Sequence, residues 1–138
     1  MSWKILFVIA VIFPAVFAFS SNKSTREIFD QWKKRTQEEH PECLKSTGAK
    51  IEDVNQFWDD YKMPNDESFK CYLQCVFSSF RLSNADGTIN KEEFVQDVDK
   101  ASNDMVDACN ERLKRPSEKC DLLYELVDCL LHYKHIFV

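Results

Sequence analysis

Six cysteines are the residues of this 138-residue chain whose type and number point most directly to chemistry. They are Cys43, Cys71, Cys75, Cys109, Cys120 and Cys129. An even number of cysteines in a short secreted chain predicts a set of disulfides, and six cysteines allow fifteen pairings. A metal site is the alternative, but the sequence has no Cys-x-x-Cys pair. Disulfides are therefore predicted, and their pairing stays open at this point.

The N-terminus indicates the compartment. Lys4 precedes a run of nine apolar residues, which is too short to span a bilayer and is typical of a secretory signal. We expect cleavage after Ala18, or alternatively after Ser20. Residues 1–18 would then be the signal peptide and residues 19–138 a single extracellular domain. No later stretch approaches eighteen uninterrupted apolar residues, so no membrane span is expected.

The charge of the chain argues against anionic partners. The net charge is −5, and loss of Lys4 with the signal brings it to about −6. An acidic surface repels phosphate groups, so neither nucleic acid nor an anionic membrane is an expected partner. Solubility is the simplest explanation of this charge.

The remaining residues have the spacing of helices. Apolar side chains recur at intervals of three and four, glycine occurs only at Gly48 and Gly87, and no alternating strand pattern accompanies the single Asp-Gly. Ser24 and Glu27 form a predicted capping box. The predicted helices cover residues 24–40, 51–61, 67–82 and 90–101. Two more helices are predicted, one between a break at residues 102–104 and Pro116 and one from a cap at Ser117 to about residue 131. Residues 42–46 are predicted as a turn.

The third of these helices carries two cysteines one turn apart. Cys71, Cys75, Ser78 and Leu82 share one side, and a set of aromatic and aliphatic residues shares the opposite side. We predict that both sides are buried, which would place this helix in the middle of the domain.

The cysteine spacing resembles that of the insect odorant-binding and pheromone-binding protein family. Between successive cysteines lie 27, 3, 33, 10 and 8 residues. The family signature has three residues between the second and third cysteines and eight between the fifth and sixth. Both intervals match, and the residues around Cys71 and Cys120 are also similar to the family. The interval of 33 is on the short side.

The resemblance implies an all-α fold of about six short helices around an internal apolar cavity. It also implies three interlocked disulfides, with the pairs Cys43–Cys75, Cys71–Cys120 and Cys109–Cys129. A chamber of a few hundred Å³ would forfeit packing contacts, and the cross-links would offset that loss.

The function that the resemblance implies is reversible binding of a small hydrophobic molecule, such as an odorant, a pheromone or a lipid-like compound, and its transport through extracellular fluid. No cofactor is expected. The resemblance also implies a membrane receptor as a partner. The oligomeric state would be a monomer or a homodimer. An alternative is a secreted signalling or host-interaction protein on the same scaffold. The residues expected to line the cavity are Phe77, Phe80, Phe94, Val98, Met105, Leu123, Leu126, Leu130 and Phe137.

The residues after Cys129 are too few for a long segment that refolds into the cavity. A short lid formed by residues 136–138 is the corresponding hypothesis, with His132 and His135 loosening it as they gain charge below neutral pH. The alternative is two exposed histidines that take no part in switching.

The sequence disfavours two other functions, calcium binding and catalysis. Residues 82–93 resemble a calcium-binding EF-hand loop, but Leu82 stands where the first Asp ligand belongs, and a turn with a helix cap explains the same residues. The chain lacks the His-Asp pair beside adjacent cysteines that a secreted phospholipase needs, and it lacks a Gly-x-Ser-x-Gly elbow. No enzyme activity is therefore expected. Asn22 begins a glycosylation sequon.

Overall fold

The computed structural model describes residues 22–113 and 118–138, which form seven α-helices and a final 3-10 turn. The helices are α1 (Thr25–Glu39), α2 (Glu42–Thr47), α3 (Ile51–Asp60), α4 (Glu67–Ser79), α5 (Lys91–Asp97), α6 (Asn103–Arg112) and α7 (Lys119–His132), followed by the 3-10 turn Tyr133–His135. The all-α fold class is confirmed. No helix within the described ranges is long and apolar enough to cross a membrane. The expected signal peptide, Pro116 and Ser117 lie outside the described residues.

Side-chain caps set where several helices begin. The capping box of α1 is present: the Ser24 hydroxyl accepts from the backbone N–H of Glu27 at 3.1 Å, and the Glu27 carboxylate accepts from the Ser24 N–H at 3.4 Å. Asp66, Asn90 and Ser102 each accept from the backbone N–H three residues further on, at the starts of α4, α5 and α6. These bonds satisfy backbone donors that a helix leaves unpaired at its first turn.

Two boundaries differ from the sequence-based prediction. The segment predicted as a turn at residues 42–46 is the short helix α2, which ends at Gly48 in the left-handed conformation. Helix α4 ends at Ser79 rather than Leu82, because Arg81 has a φ of 61° and turns the chain. A residue in the left-handed conformation cannot continue a right-handed helix, so the helix ends before Arg81. The helical spacing of apolar residues in the sequence extends beyond that point.

Helix α4 lies at the centre of the fold and is bonded to two other helices. The disulfides Cys43–Cys75 and Cys71–Cys120 join it to α2 and α7, and a third disulfide joins Cys109 of α6 to Cys129 of α7. These are the pairs that the family resemblance implies. The apolar side of α4 is buried against the core. The cysteine side is only partly covered: Cys71 and Cys75 are half-buried, and Ser78 is exposed, unlike the prediction that both sides are buried.

Helices α1 and α3 are joined by Arg26. Its guanidinium donates to the main-chain oxygens of Trp58 and Asp59 at the end of α3, and it lies 5.0 Å from the centre of the Tyr61 ring. The last carbonyls of a helix lack partners within the helix, so a cation there satisfies them and interacts favourably with the helix dipole. This contact positions the end of α3, which carries two of the cavity residues described below.

The segment that resembles an EF-hand loop is a compact turn packed on α7. Ser83 and Ile89 form an isolated antiparallel bridge, and the Asp86 carboxylate accepts from both the N–H and the hydroxyl of Thr88. Gly87 is buried with a φ of 91°, and a Cβ there would lie 3.2 Å from the Leu122 side chain. Within the described ranges no group of three or more His, Cys, Asp or Glu side chains is arranged to hold a metal ion.

The Cys71–Cys120 disulfide closes the longest of the three loops, with a sequence separation of 49 residues. Replacing both cysteines by serine should lower the free energy of unfolding by about 4 kcal/mol in the chain-entropy model, measured by urea denaturation. Ser78→Ala, at an exposed position of the same helix, is the control and should change stability by less than about 0.5 kcal/mol. A double variant as stable as wild type would show that this cross-link does not support the fold.

Candidate functional site

An apolar cavity of about 80 Å³ lies among α1, α3, α4, α5, α7 and the tail, which we define as residues 136–138. Its lining contains only aliphatic and aromatic side chains. They are Ile28, Phe29, Trp32, Phe57, Trp58, Val76, Phe77, Leu82, Phe94, Val98, Val127, Leu130, Leu131 and Phe137. An apolar ligand gains free energy by moving from water into a cavity of this composition, whereas a polar ligand would lose its hydrogen bonds to water without replacing them.

One wall of the cavity is an aromatic cluster from α1 and α3. The Phe29 ring centre is 5.5 Å from that of Phe57 and 6.0 Å from that of Trp58, and Phe57 and Trp58 meet edge to face at 4.9 Å. Aromatic pairs at these distances and tilts are favourable beyond the area that they bury. The cluster therefore forms a firm wall, and the Arg26 contact at the end of α3 holds it in place.

The opposite wall comes from α4, α5 and the second half of α7. The rings of Phe77 and Phe94 are nearly parallel, with centres 6.3 Å apart. Val127, Leu130 and Leu131 of α7 complete this wall. Helices α4 and α7 pack against each other and share the Cys71–Cys120 disulfide, so the wall is covalently braced.

The indole nitrogen of Trp58 is already bonded within the protein. Its N–H donates to the Tyr72 hydroxyl at 3.0 Å, and both residues are buried. Burial raises the pKa of the Tyr72 phenol, because the charged form loses solvation there, and the hydrogen bond from Trp58 has a smaller, lowering effect. The pair satisfies a polar group next to the cavity and fixes the orientation of the Trp58 ring.

The mouth of the cavity is marked by the two lining residues that are not fully buried, Val98 and Phe137. The Thr25 hydroxyl donates to the main-chain oxygen of Phe137 at 2.6 Å, which ties the tail to the start of α1. Lys23 pairs with Asp99 at 3.1 Å, next to Val98. The rim is thus held by polar contacts that are only partly buried, whereas the walls are held by packing and disulfides.

Five of the residues predicted from the sequence lie in the lining. They are Phe77, Phe94, Val98, Leu130 and Phe137. They come from α4, α5 with the residue after it, α7 and the tail, so the fold does bring together side chains that lie up to 60 positions apart in the sequence.

The structure places the other four predicted residues outside the lining. Met105, Leu123 and Leu126 are fully buried in the core. The apolar stripe of α7 is longer than the cavity, which contacts only residues 127–131, so Leu123 and Leu126 pack within the protein. Phe80 is the C-cap of α4, and its N–H still donates to the Val76 carbonyl at 3.1 Å; its ring packs edge to face on Trp32 at 5.1 Å instead of lining the cavity.

The sequence-based prediction missed the contribution of α1 and α3. Ile28, Phe29, Trp32, Phe57 and Trp58 all line the cavity. Their helical spacing was visible as an amphipathic pattern, but a pattern of this kind marks a buried face without saying whether the face meets another helix or an open space. Val76, Leu82, Val127 and Leu131 were missed for the same reason.

The cavity is smaller than the expected few hundred Å³. At about 80 Å³ its volume is about half that of an apolar cavity of roughly 150 Å³, which accommodates benzene. The large aromatic side chains of α1 and α3 account for the difference, because they fill space that the prediction left to a ligand.

The two histidines near the tail are exposed and do not line the cavity. The Nδ1 of His132 is 3.2 Å from the Asp128 carboxylate, and the Nδ1 of His135 is 3.2 Å from the main-chain oxygen of Val138. A protonated ring can donate to both oxygens. The switching role of these histidines and its alternative both stay predictions.

The structure defines a class of protein by its architecture: an all-helical domain, cross-linked by three disulfides, that encloses an apolar cavity. The sequence profile of the PBP/GOBP family matches residues 25–133, a range that includes all six cysteines. The chain belongs to the PBP/GOBP family. The family resemblance that the cysteine spacing indicates is thereby confirmed.

Known relatives extend the comparison. General odorant-binding protein 69a of Drosophila melanogaster is 26% identical over 100 residues, which cover 70% of this chain and 66% of the relative. Odorant-binding protein 10 of Aedes aegypti is 32% identical over 95 residues, covering 63% of this chain and 64% of the relative. The match thus spans slightly less than two thirds of each relative.

A solved structure shares the fold. Odorant-binding protein 7 from Anopheles gambiae, in complex with an azo compound, matches with a TM-score of 0.57 and 25% identity, covering 78% of this chain and 90% of that one. That protein has four disulfide bridges, one more than the three of this chain.

The contribution of the Trp58–Tyr72 hydrogen bond to the stability of the aromatic wall can be tested by mutation. Tyr72→Phe leaves a buried indole N–H without its acceptor, so the free energy of unfolding at pH 7 should fall by about 1–3 kcal/mol in urea denaturation. Tyr133→Phe is the matched control, because the ring of Tyr133 is half-buried and keeps its contact with Lys134. Equal losses in the two variants would contradict a specific role for this bond.

The raised pKa of Tyr72 makes the free energy of unfolding depend on pH in the alkaline range. The folded protein retains this proton where the unfolded chain, with a tyrosine pKa of about 10, has released it. The stabilisation is complete below about pH 10 and is lost as the pH rises further. Wild type should therefore lose more stability than Tyr72→Phe between about pH 9 and pH 11. Tyrosinate absorbance should show one late-titrating group fewer in the variant.

Proposed function

We propose that this protein is a secreted carrier that reversibly binds a small hydrophobic molecule and moves it through aqueous extracellular fluid. The observation that carries the proposal is the wholly apolar lining of an internal cavity in a domain of this size. Membership of the PBP/GOBP family and the similarity to odorant-binding proteins support it. A binding role, rather than catalysis, fits a cavity whose lining has no acid, base or nucleophile.

Affinity would come from apolar surface removed from water. A small ligand that loses about 250 Å² of apolar surface gains about 6 kcal/mol, which corresponds to a Kd of about 10–100 µM. Such binding is weak enough to be reversible. Release would require the ligand to pass the rim at Val98 and Phe137, because the remaining lining residues are buried.

Displacement of a fluorescent apolar probe tests the binding function. We expect the secreted, disulfide-bonded protein to bind the probe and members of a panel of hydrocarbons, esters, alcohols and fatty acids to displace it. Val127→Phe, which fills the cavity from α7, should weaken binding at least about tenfold. Val95→Phe, at a half-buried position outside the lining, is the control. Failure of wild type to bind anything would favour the alternative role in signalling or host interaction.

The tail is proposed to act as a short lid through Phe137, whose side chain lines the cavity and whose main-chain oxygen is held by Thr25. Phe137→Ala should raise the ligand dissociation rate several-fold in stopped-flow displacement, because it removes apolar contact at the mouth. Val138→Ala, where the side chain is exposed, should leave the rate unchanged. A rate for Phe137→Ala equal to that of wild type would contradict the lid.

A further inference from the structure

We infer that the cavity selects compact aromatic ligands of a single ring that lack hydrogen-bonding groups over alcohols, carboxylates and long chains of comparable hydrophobicity. This inference rests on the proposed function, because selectivity requires that the cavity bind a ligand at all. Three properties of the lining carry it: its polarity, its volume and its ring content.

The polarity of the lining disfavours a ligand hydroxyl, which finds no acceptor there, and a ligand carboxylate, which finds no cation there to offset its lost hydration. The only side-chain heteroatoms among the lining residues are the indole nitrogens of Trp32 and Trp58, and the Trp58 N–H is already donated to Tyr72. Indole nitrogens are donors only, so no lining side chain can accept a hydroxyl proton. A buried hydroxyl without an acceptor loses its hydrogen bonds to water and gains none, which should weaken binding about tenfold or more.

The volume of the cavity sets the size of the ligand. An apolar cavity of roughly 150 Å³ accommodates benzene, so the cavity of about 80 Å³ admits a single six-membered ring only with a small outward movement of the rim. A chain of twelve carbons exceeds this volume. It could enter only with a larger displacement of Phe137 and Val98, which would sacrifice contacts that a single ring leaves in place.

The ring content of the lining favours an aromatic guest over a saturated one. Seven of the lining residues are aromatic, and the Phe29–Phe57–Trp58 cluster and the Phe77–Phe94 pair stand on opposite walls. A guest ring between them can add edge-to-face or offset contacts to either wall. Each contact of this kind should raise the affinity for the guest a few-fold.

Binding of matched small compounds tests the inference on the secreted protein. Trp32 and Trp58 both line the cavity, so tryptophan fluorescence reports occupancy directly, and calorimetry gives an independent affinity. The compounds are toluene, methylcyclohexane, benzyl alcohol, benzoate and dodecanol, and each affinity is divided by the compound's octanol–water partition coefficient. On this scale toluene should exceed methylcyclohexane a few-fold and the other three at least about tenfold.

Two pairs of variants assign the selectivity to the cavity. Val127→Thr adds a hydroxyl to the lining at constant shape and should raise the benzyl alcohol-to-toluene affinity ratio several-fold, whereas Val95→Thr, outside the lining, should not. Leu130→Ala enlarges the cavity and should raise the naphthalene-to-toluene ratio. Leu126→Ala, one turn earlier and outside the lining, should leave that ratio unchanged. Circular dichroism checks that each variant is folded.

The outcomes separate the two proposals. Tighter normalised binding of dodecanol or benzyl alcohol than of toluene would overturn the selectivity and leave the carrier function standing. Equal ratios in the lining variants and their controls would place the binding site elsewhere and overturn the inference. Absence of binding by every compound and by the apolar probe would overturn both.

Discussion

The position of α4 is the constraint on which the cavity depends. Two disulfides one helical turn apart bond α4 to α2 and to α7, and its opposite side forms part of the cavity wall. An empty cavity of about 80 Å³ forfeits about 2 kcal/mol of packing at about 24 cal/mol per Å³. One cross-link of the length of Cys71–Cys120 contributes about 4 kcal/mol, so the covalent framework offsets that loss.

The rim of the cavity is held by weaker interactions than its walls. Lys23 and Asp99 form an exposed ion pair, which contributes little to stability in water, and a single hydrogen bond from Thr25 holds the tail. The walls consist of interlocking rings and cross-linked helices. Opening should therefore occur at the rim, where few contacts break, and the walls can keep their shape while a ligand enters or leaves.

Different parts of the site were predictable to different degrees. The capping box at Ser24 and Glu27 depends on two residues three apart, and the sequence is sufficient to predict it. The end of α4 depends on the left-handed conformation of Arg81, which leaves no clear pattern in the sequence. That boundary decides where the chain leaves α4 and turns towards the segment at residues 82–89.

The sequence by itself determined the helical class, the family and the number of cross-links, because periodicity and cysteine spacing are properties of the chain. Only the tertiary structure decided which buried faces border open space. Leu126 and Leu130 belong to one apolar stripe of α7, yet only Leu130 lines the cavity. The difference arises from the side chains that other helices place opposite each residue, and periodicity along one helix carries no information about them.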